Sequence, residues 1–282
     1  MSPRRNRLPS LWPALAAGAL VAALAAAPGA GAANPPTLNV SIGKGTIAVS
    51  GSTTSGAVNV VVTAAKGVKE PAALLFKLAP GATIAEVDAL LASKKGGDPN
   101  NATPLGSIVF DGEGVPGGTS EAQTLLTPGT WVALDAEGEG PPKAKAVFTV
   151  TAAPAPAALA APAAVERTID FGFKGPATLH DGEVVRFENE GWLVHMDVAF
   201  PVRSHKAALT AAHDLLIGRE KPLQKLIAGP PVGFYGPLSH GGMMQETISA
   251  KPGWYVQVCF MDTQDGRSHN LLGMERAIHI LK

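Results

Sequence analysis

The stretch PGWYVQVCFMDTQDGRSHNLLGMERAIHILK, residues 252–282, decides how this chain is read. A Pro-Gly turn opens a run in which Tyr255, Gln257 and Cys259 alternate with Val256, Val258 and Phe260. That period of two is the signature of a β-strand with two distinct faces. Cys259 falls at the end of the strand, His269 follows nine intervening residues later, and Met274 four intervening residues after that. A final run, Ala277 to Leu281, predicts a closing strand, and His195 lies far upstream in another strand region, 192–200. One loop between two strands and one neighbouring strand therefore offer a thiol, two imidazoles and a thioether. Thiolate and imidazole suit copper in a trigonal arrangement, with a thioether as a long axial ligand. A structural zinc site wants more sulfur or a closed set of four.

Each of these residues also has a plainer reading. Cys259 can be a buried core thiol, Met274 a core filler and His269 a solvated loop residue. Only their joint order and spacing favour a metal. His240, in SHGGMM, is a further candidate ligand, because its turn leads into the Cys259 strand. His205 and His213 are expected on a helix surface, and His180 and His279 in structural positions. The methionines of the second copy are read mostly as core fillers; the alternative for Met243 and Met244, which follow two glycines, is exposure, where thioethers would favour Cu(I). No phosphate-cradling loop, G-x-S-x-G elbow or H-E-x-x-H helix is present. A nucleophile pair of Cys259 with His195 or His269 remains an alternative. Cys259 is the only cysteine, so an intramolecular disulfide and a two-cysteine copper centre are both excluded.

Outward from this stretch, the chain repeats itself. GEGVPGGTSEAQTLLTPGTWVALDA (112–136) lies over GPLSHGGMMQETISAKPGWYVQVCF (236–260) without a gap, at a constant offset of 124. Each copy predicts about seven short strands bounded by Gly, Pro and Asp turns, plus one inserted helix. In the first copy Thr83 and Glu86 form a capping box ahead of Ile84, Val87, Leu90 and Leu91; in the second Ser204 precedes KAALTAAHDLL. The Ala/Pro-rich stretch 151–165 predicts an extended, semi-rigid linker between domains at 37–150 and 166–282, each burying its own core. The expected fold is all-β: two tandem Greek-key β-sandwiches, each with a short helical insertion. The offset sets Pro71 against His195 and Asp135 against Cys259, and all seven histidines lie between 180 and 279. The first copy therefore lacks the donors.

Residues 1–32 predict a cleavable export signal: Arg4, Arg5 and Arg7, an apolar stretch Leu11 to Ala27, then Ala30-Gly31-Ala32. Its removal leaves 20 basic against 23 acidic residues, with no basic stripe for nucleic acid. No later run reaches the roughly 18 apolar residues of a membrane span. The expected location is secreted or extracytoplasmic.

A Pro-Gly turn, a strand ending in Cys259, then His269 and Gly273-Met274 before a last strand resembles the cupredoxin family of blue copper proteins. The motif covers about 166–282, and the repeat extends the resemblance to 37–150. It implies one copper ion, His195, Cys259 and His269 as equatorial ligands, and Met274 as the axial one. It also implies single-electron transfer with no enzymatic activity, and a redox partner docking at an apolar patch of His269, Leu271 and Leu272. The family usually has two to four residues between the Cys and the second His; the longer segment here holds a D-G turn and either loops out and returns His269 to the site or leaves the site distorted or metal-free. The residue after the upstream His is often Asn in the family, and here it is Met196.

Overall fold

The computed structural model describes residues 34–136 and 140–282, so the predicted export signal at 1–32 lies outside the described residues. The first half runs β1 (Thr37–Gly43), β2 (Thr46–Gly51), β3 (Gly56–Ala64), β4 (Ala72–Leu78), α1 (Ile84–Leu91), a 3₁₀ segment Pro99–Leu105, β5 (Gly106–Glu113), β6 (Thr119–Leu126), β7 (Gly129–Asp135) and β8 (Lys145–Val150). The second runs β9 (Ala164–Ile169), β10 (Gly172–Lys174), β11 (Thr178–His180), β12 (Val184–Asn189), β13 (His195–Val202), α2 (His205–Leu216), α3 (Glu220–Leu226), β14 (Val232–Leu238), β15 (Met243–Thr247), β16 (Gly253–Val258), a 3₁₀ turn His269–Leu272 and β17 (Glu275–Leu281). Among the described residues no helix is long and apolar enough to cross a membrane.

Both expected helical insertions are present. The Thr83 hydroxyl accepts from the Glu86 amide and the Glu86 carboxylate accepts from the Thr83 amide, so the box closes α1 reciprocally. Ser204 caps α2 by accepting from the Ala207 amide at 3.2 Å. α3 was not expected from the sequence.

Strand order repeats between the halves. One sheet reads β5-β4-β7-β8, and its counterpart reads β14-β13-β16-β17 with β11 added at the edge. The third sheet belongs to neither half alone: β10-β9-β12-β15 continues into β6-β3-β1-β2 as eight strands. The join is antiparallel at Gln245 and Gln123, whose side chains bond at 3.0 Å, and the Thr124 hydroxyl donates to the Met243 carbonyl at 2.6 Å. Two edge strands that would each expose unpaired backbone groups cover one another here.

This join corrects the expectation that each half buries its own core. The largest buried cluster spans both halves, from Leu38 and Trp131 through Phe110 to Phe187, Phe234 and Ile280, while a second, around Val198, Leu215 and Val256, lies within the second half. Met243 and Met244 are buried at the join, as core fillers and not as exposed thioethers. The Ala/Pro stretch is extended but not free: Ala57 donates to the Ala157 carbonyl, Ala163 to that of Val184, and both Arg186 and Gln245 donate to that of Ala160. Residues 164–165 already belong to β9.

Candidate metal centre

β16 delivers Cys259 at its C-terminal end, beside the start of β13, where His195 sits opposite Leu238 of β14. A register shift between His195 and Asp197 marks a bulge, a device that re-aims a strand side chain. The segment after Cys259 loops out through the D-G turn and returns. Asp262 bridges Ser268, Thr263 closes a turn onto Arg267, and the His269 amide donates to the Met261 carbonyl at 2.8 Å. His269 then opens its 3₁₀ turn, Gly273 takes the left-handed conformation (φ 103°), and Met274 enters β17.

Three of the four expected donors converge. His195 Nδ1 lies 3.1 Å from His269 Nδ1, and Cys259 Sγ lies 3.9 and 3.5 Å from them respectively. They form the group of His and Cys donors that could hold a metal among the described residues. A point equidistant from the three atoms is about 2 Å from each, close to the length of metal–imidazole and metal–thiolate bonds. Met274 is fully buried in a small cluster with Cys259, Val194 and Met261, and its carbonyl accepts from the Cys259 amide at 3.1 Å. Sequence reasoning missed Met261, a second buried thioether beside the thiol. His240 does not join: its Nδ1 faces the Gly191 carbonyl at 2.9 Å and its ring stacks on Trp192. His205 and His279 both stack on Trp254 and are not part of the donor group.

The surroundings of the donors fix their chemistry. Asp170, in the β9–β10 turn, accepts from the Leu193 amide and faces His195 Nε2, both at 3.1 Å. Burial alone would raise the Asp170 carboxyl, but hydrogen bonds from Leu193, His195 and Trp192 hold it below its usual value. An ionised carboxylate only accepts, so His195 carries its proton on Nε2 and turns a bare Nδ1 toward the thiol. Gly191 is obligatory beside this pair, since a Cβ there would stand 2.6 Å from both Asp170 Oδ1 and His195 Nε2. The neighbouring turn residue, Phe171, is the one described non-glycine at positive φ (63°). A bulky side chain in that region is strained by roughly 1–2 kcal/mol. Its ring packs edge-on against His269, at 5.5 Å between centroids. His269 is therefore fully buried, and its Nε2 meets no hydrogen-bonding partner.

Burial pushes the Cys259 thiol up to about 12, against amide hydrogen bonds from Met196 and Met261 that favour the thiolate. Burial, then the neighbouring His195, pushes His269 down to about 4. Burial also lowers His195, with Asp170 opposing. Without metal the site thus holds a thiol and two neutral imidazoles, a set that a cation can bind on releasing the Cys259 proton. The Met196 amide reaches Cys259 Sγ at 3.4 Å, a contact that comes from backbone and needs no particular side chain. Beneath the donors, on the same strand faces, Gln257 donates to Glu166 at 2.8 Å and to Asp197 at 2.6 Å, and Arg276 pairs with Glu166. Sequence alternation placed Gln257 beside Cys259 but could not reveal these partners.

No protein-family model matches the chain, and no curated protein matches it. Solved structures do. Auracyanin A, a "blue" copper protein from Chloroflexus aurantiacus, matches at 16% identity over 42% of this chain and 100% of its own, with a TM-score of 0.28. A Cu-containing nitrite reductase from Thermus scotoductus matches at 11% identity over 89% of this chain and 69% of its own, with a TM-score of 0.26. A multicopper oxidase matches at 12% identity over 86% and 87%, with a TM-score of 0.23. The expectation of no enzymatic activity is corrected at this point: two of these neighbours, the nitrite reductase and the multicopper oxidase, are enzymes.

Proposed function

We propose that the second half of the chain is a cupredoxin-like domain that holds one copper ion and exchanges single electrons with a partner. The observation that carries this reading is the convergence of His195 Nδ1, His269 Nδ1 and Cys259 Sγ around a common point about 2 Å away. Copper bound there would supply a one-electron couple between Cu(II) and Cu(I). His195 and His269 would bind through Nδ1, Cys259 as thiolate after losing its proton, and Met274 as a weak fourth donor. Asp170 would keep the His195 tautomer, and Phe171 would exclude water from His269. The first half, 37–150, would be a second Greek-key sandwich without donors, and the whole would act outside the cytoplasm. A redox partner would dock beside His269 on Leu271 and Leu272; Leu271 is 46% exposed and lies against Gly218, just past the end of α2.

The test is addition of Cu(II) to the purified protein. A thiolate–copper site gives intense absorption near about 600 nm, lost in Cys259→Ala. No band in the wild type, or an equal one in the variant, would overturn the reading. A second reading, a Cu(I) carrier, draws on the buried pair Met261 and Met274 beside the thiol. A carrier would outcompete a Cu(I) chelator yet give no reversible redox couple by voltammetry.

A further inference from the structure

The segment 260–268 that carries the chain from Cys259 to His269 is long and polar, with exposed charged residues at Asp265 and Arg267. Such a loop fixes a donor only where something holds it. Two contacts from outside its own strands hold this segment and the turn that follows it. On one side, the Asn270 amide donates to the Leu215 carbonyl in the last turn of α2, at 2.8 Å. On the other, the Asn100 amide donates to the Asp262 carbonyl at 2.7 Å, across 162 positions of sequence. Asn100 belongs to the 3₁₀ segment after α1, in the half without donors. It is itself locked: Asp98 caps the segment and accepts from both the Asn100 backbone amide at 3.0 Å and its side-chain amide at 3.1 Å. Asn100 is only 9% exposed, so water competes little for this bond.

We infer that Asn100 is a positioning residue for the metal centre, and that the first half serves the second by bracing its ligand loop through the Asn100–Asp262 bond. α2 of the second half and the 3₁₀ segment of the first thereby hold the chain around His269 at two points, Asn270 and Asp262. From Asp262 the constraint passes over one peptide bond to Met261, whose carbonyl receives the His269 amide at 2.8 Å. Releasing Asp262 frees the end of the loop on which His269 hangs. This inference rests on the copper reading for its consequence but not for its geometry.

The experiment compares full-length wild type with Asn100→Ala and with Asn100→Asp, which keeps the shape of the side chain but has no N–H to donate. Deuterium exchange and the imidazole nitrogen shifts of His269 are recorded on metal-free protein, and the copper absorption and electron paramagnetic resonance on loaded protein. Loss of a buried bond predicts about tenfold faster exchange at 262–269 in both variants, with β16 and β17 unchanged. It also predicts altered His269 shifts and an altered copper signature. Unchanged loop exchange in both variants overturns the brace. Faster exchange with unchanged His269 shifts overturns the positioning role. If the wild type shows no copper signature, the copper reading fails, and the metal-free measurements still decide the brace.

Discussion

Replacing Asp170 by Asn tests the electrostatic half of the centre while leaving its shape intact. Asn keeps an oxygen for the Leu193 amide and for His195 Nε2–H, each 3.1 Å from Asp170 in the wild type, but removes the charge. A hydrogen bond to a charged group contributes about 1.5–3 kcal/mol. The Asp170 side chain is 31% exposed, so solvent screening favours the lower end, about 1.5 kcal/mol, or about tenfold in copper affinity. Asp170→Ala also leaves the buried Nε2–H of His195 unpaired and its ring free to turn, so about a hundredfold loss is expected. Because a carboxylate stabilises the higher charge, Cu(II) affinity should fall more than Cu(I) affinity and the reduction potential should rise. The sign of the pH dependence follows from the depressed Asp170 carboxyl. Its contribution is present above the ordinary carboxylate value of about 3.9 and is lost as pH falls through its lower folded value. Competition titrations of Cu(II) and Cu(I) against chelators measure the first two effects, and unfolding of the metal-free protein between about pH 2 and pH 5 measures the third. Cu(II) affinities of both variants equal to wild type would refute the reasoning.

Three further outcomes follow from the packing. Gly191→Ala places a Cβ 2.6 Å from both Asp170 Oδ1 and His195 Nε2, so it should weaken Cu(II) binding more than Asp170→Asn does in the same titration. Phe187→Ala removes a fully buried ring stacked 5.1 Å from Phe234 and should cost about 3–5 kcal/mol by urea unfolding. Since that core spans both halves, unfolding should remain one cooperative transition; two separated transitions would show that the halves fold apart. Burial and the nearby Glu113 push Glu246 up to about 8. An acid raised on folding is stabilised in its neutral form. The wild type should thus lose about 2–4 kcal/mol as pH rises from about 4.5 to 8. Glu246→Gln should flatten that slope, and equal slopes in the two proteins would disprove it.

Much of the candidate centre was legible because its signals are local. Cys259 at a strand end, the D-G turn, His269 and Gly273-Met274 follow one another within a single strand–loop–strand, and alternation puts Cys259 on the strand face of Tyr255 and Gln257. The caps of α1 and α2 were equally plain, since Thr83, Glu86 and Ser204 bond to amides three residues away. Only the tertiary structure decided the rest. Asp170 meets His195 across 25 residues, Asn100 meets Asp262 across 162, and Gln245 meets Gln123 across 122. Phe171 seals His269 through a turn whose strain no residue pattern announces. Residue periodicity records which face of a strand or helix is buried, but not what is buried against it. The sequence alone therefore determined which donors this chain owns and in what order. Strand pairing, the join between the halves and the burial it imposes decided that three of those donors meet, and what holds them there.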